Sequence, residues 1–237
     1  MKTLLISAAV AAGVGASGAA SAEEIKLCVF LGLTGPIESL VASMAPAAEQ
    51  AIAEVSDSGK FLDGTTVTAE RADTTCIDSA AATAAIERLI TAEKVSGVVG
   101  GDCSGVTTAA LTNVALPNGM VMISPSATSP ALSTVEDNGL FFRTAPSDAR
   151  QGVVMTDIIM ERGIKEVAVT YTNNDYGKGL ADAFQTAFEE AGGSVTISAS
   201  HEDGKADYAA EVGSLACLLY TSPSPRDATL SRMPSSA

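Results

Sequence analysis

Histidine is almost absent from this chain of 237 residues: His201 is the only one. It lies in the polar run Ser200-His201-Glu202-Asp203-Gly204. A metal centre built on imidazoles is thereby excluded, and a serine or cysteine nucleophile would find at most one imidazole base. Lys and Arg are also scarce, 14 against 28 Asp and Glu, for a formal net charge of −14. So acidic a surface repels phosphate backbones and anionic lipid heads, which argues against nucleic acid or a membrane surface as partner. The chain lacks a P-loop Lys-Ser/Thr and a complete dinucleotide fingerprint, so Gly100-Gly101-Asp102-Cys103-Ser104-Gly105 does not read as a nucleotide loop. Beyond the N-terminus no apolar run is long enough to cross a bilayer. Neither a cofactor nor a metal is expected.

The two ends read differently from the middle. Met1-Lys2-Thr3 is a short basic start, Leu4 to Ala20 is an unbroken run of apolar and small residues, and Ala20-Ser21-Ala22 is a small-x-small cleavage site. Residues 1–22 are therefore expected to be a cleaved secretory signal. A lipoprotein would carry cysteine after the cut, where this chain has Glu23, so the mature protein is expected to be soluble in the periplasm or an equivalent exported space. From Cys217 the sequence CLLYTSPSPRDATLSRMPSSA looks like translated sequencing adapter in two in-frame segments, with Ala228-Thr229-Leu230 where a variable index would fall. Residues 217–237 are expected to be a non-native tail, with native sequence stopping near Ala216. The alternative is a natural Pro/Ser-rich tail.

Between the ends, β-branched runs alternate with amphipathic stretches, the pattern of an α/β protein with a mainly parallel sheet. Strands are predicted at 25–31, 65–69, 95–99 and 120–123. Helices are predicted from the recurrence of Leu40, Val41, Met44, Ala48, Ala51, Ile52 and Val55, over 79–93, and over 104–116. After Leu140-Phe141-Phe142-Arg143-Thr144 a second unit is predicted: helix 148–162, strand 166–171, helix 178–191, strand 195–198 and a helix from 207. Two strands are too few to complete an open sheet covered on both faces, so lobe 1 is placed at 23–144 and an incomplete lobe 2 at 145–216.

With Cys217 set aside, three cysteines remain. Cys28, inside Ile25-Lys26-Leu27-Cys28-Val29-Phe30, reads as a buried small hydrophobe. Cys76 and Cys103 each follow a predicted strand, and parallel strand ends emerge on one edge, so the two thiols can meet. In an oxidising compartment a disulfide is the natural result, stabilising by roughly 3 kcal/mol in the chain-entropy account. Metal binding is the competing idea.

Ligands of open α/β sheets bind beyond the carboxyl ends of the strands. There, Ser104 is expected at or near a helix N-cap, with its hydroxyl and nearby N–H groups open to an anion such as a carboxylate. The simpler alternative is that Ser104 only caps its own helix. Ser124-Pro125-Ser126-Ala127-Thr128-Ser129-Pro130 follows the fourth strand on the same edge, and its prolines restrict it so that the Ser126 carbonyl and the Thr128 hydroxyl are presented at little ordering cost. Asp148 and Tyr176 stand at strand-to-helix positions of the second unit.

Leu33-Thr34-Gly35-Pro36, the two cysteines, Cys103-Ser104, Ile123-Ser124-Pro125-Ser126-Ala127-Thr128, Phe142-Arg143-Thr144 and Asp175-Tyr176-Gly177 together resemble the leucine/isoleucine/valine-binding proteins of bacterial ABC transporters. The similarity runs from about Ile25 to Ala216. It implies two Rossmann-like lobes, the periplasmic binding protein type I fold, closing on a small amino-acid ligand that is then delivered to an inner-membrane ABC permease. It further implies that Ser104 and Thr128 hold the ligand carboxylate and that the Ser126 carbonyl accepts from the ammonium. Asp148 and Tyr176 would contribute from the second lobe, and Cys76–Cys103 would be the first-lobe disulfide. Where the amino-acid binders carry an aromatic contact after the Gly-Pro turn, this chain has Leu40. A monomeric binding protein without catalysis is expected. The alternatives are a sensory or regulatory binder of amides or urea with the same fold, and a hydrolase using Cys103 or Ser104.

Overall fold

The computed structural model describes residues 24–219, with side chains to 216. The predicted signal, residues 1–22, and residues 220–237 of the predicted tail lie outside the described residues.

The first sheet forms around β1 (Glu24–Leu31), whose last four residues are all buried. Alternate side chains of a strand point to opposite faces, and here both faces are covered. Cys28 and Phe30 join one apolar cluster with Ile86, Leu89, Val106 and Leu111, while Val29 and Leu31 join another with Val41, Ala45 and Ile52. That double burial is why the strand reads as a continuous apolar run. β2 (Thr66–Asp73), β3 (Gly97–Gly100), β4 (Met122–Ser124) and β5 (Phe141–Arg143) complete a parallel sheet of order β2-β1-β3-β4-β5.

The fifth strand was not foreseen as a strand. Three residues are too few to show a period, and only the register Ile123↔Phe142 with β4 makes Phe141–Arg143 a strand.

The helix predicted after Gly35-Pro36 is two helices, α1 (Glu38–Val41) and α2 (Met44–Asp57). Of its proposed apolar face, Val41 and Ile52 are buried and Met44 and Ala48 half-buried, whereas Leu40, Ala51 and Val55 are exposed; Ala45, outside that face, is buried. The break between the helices resets the helical phase and turns Leu40 away from the core.

α3 (Ser79–Thr91) starts on Asp78, whose carboxylate accepts from the N–H groups of Ala80 and Ala81 at 3.0 and 2.9 Å. It buries Ala82, Ile86, Leu89 and Ile90 along one face. α4 (Ser104–Ala110) continues through a π turn, Leu111–Ala115, and carries Val106, Ala110, Leu111 and Val114 into the same core.

The second lobe begins with α5 (Asp148–Glu161), followed by β6 (Glu166–Thr172), α6 (Asp175–Glu190), β7 (Ser194–His201) and α7 (Ala209–Leu219). Its two strands are parallel. α6 starts three residues earlier than its apolar spacing predicts, because Asn174 caps it by accepting from Gly177 N–H at 2.8 Å. α7 runs three residues into the segment read as tail. Among the described residues no helix is long and apolar enough to cross a membrane.

Candidate functional site

The carboxyl ends of β1, β2, β3 and β4 gather the loops that the sequence singles out. Gly100 permits the close approach of β3 to β1: its φ is +147°, and a Cβ there would lie 2.0 Å from the Phe30 carbonyl oxygen. Beyond it, Cys76 and Cys103 are joined in a disulfide, with Cα atoms 5.3 Å apart.

Ser104 is the first residue of α4, and Cys103 is its N-cap, without a side-chain capping bond. The Ser104 hydroxyl therefore does not cap its own helix. It is buried, and its Oγ accepts from Ser129 N–H at 3.1 Å. That bond ties the start of α4 to the loop holding Thr128. An oxygen that accepts one bond in this way keeps its own O–H free to donate.

The loop after β4 is fastened at several points. Ser124 Oγ donates to the Gly101 carbonyl at 2.5 Å and accepts from Ala127 N–H at 2.9 Å. Ser126 Oγ donates to the Asp102 carbonyl at 3.2 Å. Arg143, at the end of β5, donates to the carbonyls of Ala127 and Ser129 at 3.2 and 2.8 Å and also reaches Ser133 Oγ.

Asp148 opens α5 beside this loop. Its backbone N–H donates to the Thr128 carbonyl at 3.0 Å. Its side chain is 2% exposed, and Oδ2 has no hydrogen-bond partner among the described residues. Burial pushes its carboxyl above the ordinary aspartate range, while a hydrogen bond from the Thr128 hydroxyl and the charge of Arg143 work the other way.

Ser104, Ser126, Thr128 and Asp148 are brought together by these bonds. Tyr176 and Leu40 are not part of the group. Tyr176, in the first turn of α6, is 43% exposed and lines a small cavity of about 240 Å³ with Met155, Tyr171, Leu180 and Phe184. Leu40 is 68% exposed and lines neither cavity.

A larger cavity of about 640 Å³ lies between α5, α6 and the loop after β4, bounded by Ser129, Pro130, Ala149, Asp175 and Gly179; Ser104, Ser126, Thr128, Asp148, Tyr176 and Leu40 are not among its lining residues. Along it the lobes touch: a methyl at Gly179 of α6 would lie 2.9 Å from Ser129 Oγ and 3.2 Å from Pro130 Cδ.

Two residues of this region were missed as site builders. Arg143 enters the sequence reading only within Phe142-Arg143-Thr144, although it is the sole Lys or Arg between Lys94 and Arg150, a base standing alone in an apolar and hydroxyl-rich stretch. Asp102 stands in the loop Gly100-Gly101-Asp102-Cys103-Ser104-Gly105. It is 4% exposed, and a carboxylate placed directly after an apolar strand signals a buried hydrogen-bond hub.

The groups a hydrolase would need are engaged elsewhere. Cys103 is in the disulfide. His201 closes β7 in the second lobe, with Nδ1 2.8 Å from Thr170 Oγ1. The free thiol of Cys28 is buried and pushed up to about 12 by burial, with Arg88 nearby acting against that shift, so it is no nucleophile.

A family model described as "Receptor family ligand binding region" matches residues 43–214. The chain is 34% identical over 215 residues to Leu/Ile/Val-binding protein homolog 3 of Brucella melitensis, covering 90% of this chain and 56% of that protein. It is 30% identical over 197 residues to the Leu/Ile/Val/Thr-binding protein of Salmonella typhimurium, covering 83% and 53%. Among solved structures, a leucine-binding protein from Thermotoga maritima is similar at TM-score 0.69 and 26% identity, over 82% of this chain and 54% of that one. The branched-chain amino acid transporter substrate-binding protein of Streptococcus pneumoniae, in complex with isoleucine, is similar at TM-score 0.64 and 27% identity, again over 82% and 54%. The chain spans about half the length of the curated relatives it matches.

Proposed function

Since this chain belongs to the Leu/Ile/Val-binding family of type I periplasmic solute-binding proteins, we propose that it captures a branched-chain or related amino acid in the cleft between its lobes and presents it to an ABC permease in the inner membrane. It acts by binding, not by catalysis. The carrying observation is the bond from Ser129 N–H to Ser104 Oγ, which sets two loops of the first lobe side by side next to Asp148, whose Oδ2 has no hydrogen-bond partner among the described residues.

A zwitterion fits the polarity of that group. The Ser104 hydroxyl, accepting from Ser129, has its proton free for the ligand carboxylate. Thr128 takes the same carboxylate through its hydroxyl, on the loop that the Ser104–Ser129 bond holds alongside. Its loop backbone lies beside Ser104, toward the carboxylate. The Ser126 carbonyl and Asp148 accept from the ammonium. Tyr176 belongs to the second lobe and reaches the ligand only as that lobe swings in, and Leu40 borders the ligand side chain in that closed form. Closure then follows from contacts that exist in one lobe arrangement and not the other. The division into lobe 1 at 23–144 and lobe 2 from 145, with export to the periplasm as a monomer, belongs to the same reading.

The test is calorimetric titration of the mature protein expressed from its gene with leucine, isoleucine, valine, glutamate and urea. Saturable binding of an aliphatic amino acid, weakened by about tenfold or more in Ser104→Ala, is the expected result. Binding of urea and of none of the amino acids would replace this reading with that of an amide or urea sensor.

A further inference from the structure

Asp102 lies one residue before the disulfide-bonded Cys103 and two before Ser104, yet its carboxylate turns inward. Oδ2 accepts from Gly32 N–H at 2.5 Å, at the end of β1. Oδ1 accepts from the Thr74 hydroxyl at 2.8 Å, at the end of β2, and from Cys103 N–H at 2.9 Å. The Thr74 hydroxyl oxygen in turn accepts from Cys76 N–H at 3.2 Å. Asp102 and Thr74 are 4% and 0% exposed. The carboxylate takes part in none of the ion pairs among the described residues; N–H and O–H donors alone hold it, as a buried carboxylate requires.

This polar bridge runs from Cys76 N–H through Thr74 and Asp102 to Cys103 N–H. The disulfide joins the same two residues through their side chains. Two fasteners therefore span one gap between the ends of β2 and β3, one covalent and one polar, and both end on the residue that precedes Ser104.

We propose that Asp102 is a positioning residue that works in parallel with the Cys76–Cys103 disulfide, each fastener sufficient to hold Ser104 against the Thr128 loop. Loss of either alone leaves the edge in register. Loss of both frees the Gly100–Ser104 turn, and with it the Ser104 hydroxyl. The consequence for ligand affinity rests on the function proposed above; the mechanical claim does not.

The experiment follows amide hydrogen exchange of peptides covering residues 98–106 and 30–34 in the wild-type chain and in Asp102→Ala, each oxidised and reduced. Parallel fasteners predict that exchange at 98–106 in reduced Asp102→Ala exceeds the product of the two single effects by about tenfold or more, with residues 166–201 unchanged. Single effects that simply multiply would overturn the proposal. Thr74→Val, which deletes one leg of the bridge, serves the same comparison if Asp102→Ala does not fold, with the same two outcomes. Leucine titration of the four samples separates the claims. If the wild type binds no amino acid, the functional reading falls while the exchange pattern still decides the mechanical one. If leucine binds and its affinity fails to follow the exchange pattern, Asp102 does not position Ser104.

Discussion

The Ser104 hydroxyl accepts from the backbone N–H of Ser129 at 3.1 Å, across a gap of 25 residues in sequence, and both residues are buried. One side-chain oxygen thereby joins the turn after β3 to the loop after β4, and every contact proposed for a ligand carboxylate depends on that junction.

Replacing Ser104 by Ala leaves the Ser129 N–H buried without its partner. The cost of such an orphan is about 1–3 kcal/mol, to be read as a lower urea midpoint with an unchanged slope. Calorimetry should show amino-acid binding weakened by about tenfold or more. Ser104→Ala with wild-type affinity would remove Ser104 from the site.

Asp148 should trade stability for binding. Its carboxyl titrates above the ordinary range because of burial, opposed by the Thr128 hydroxyl and Arg143. A group raised in the folded state stabilises the fold below its unfolded titration, and that contribution is lost as pH rises through the folded one. Asp148→Asn is therefore expected to melt higher than wild type at neutral pH, with the gap closing as the pH falls into the acidic range. The same variant should lose affinity for the ammonium group. Thermal melts across a pH series, paired with titration at neutral pH, check both signs.

Arg143 holds the Thr128 loop through two carbonyls and Ser133. Lysine keeps the charge but not the planar fork, so Arg143→Lys is expected to cost about 1–2 kcal/mol. Amide exchange should quicken at residues 127–133 and leave α3 unaffected.

Gly179 sits where α6 meets Ser129 and Pro130. Gly179→Val should obstruct that lobe contact without touching either core. Unfolding would stay close to wild type, whereas affinity should fall by about tenfold or more as the lobes are held apart. Small-angle scattering with saturating leucine should report the extended form.

Much of the fold was legible in the residues. The apolar run at Cys28–Leu31, the alanine-rich face of α3 and the alternation of strand with helix depend on local periodicity, and neighbours in sequence carry that signal. The disulfide was legible too, since parallel strand ends emerge on one edge. β5 was hidden because three residues show no period, and the phase break between α1 and α2 concealed that Leu40 faces solvent.

By itself, the sequence determined the alternating architecture, the loops at the carboxyl edge and the residue types Ser104, Thr128 and Asp148 that populate them. Only the tertiary structure decided which atoms face each other. It turned Asp102 inward to Gly32 and Thr74, joined the Asp148 N–H to the Thr128 carbonyl, and placed Arg143 under a loop fourteen to sixteen residues away in sequence. The physical reason is range: periodicity is set by backbone geometry within a few residues, whereas the pairing of buried polar groups is settled when distant strands close on one another and each donor must find an acceptor.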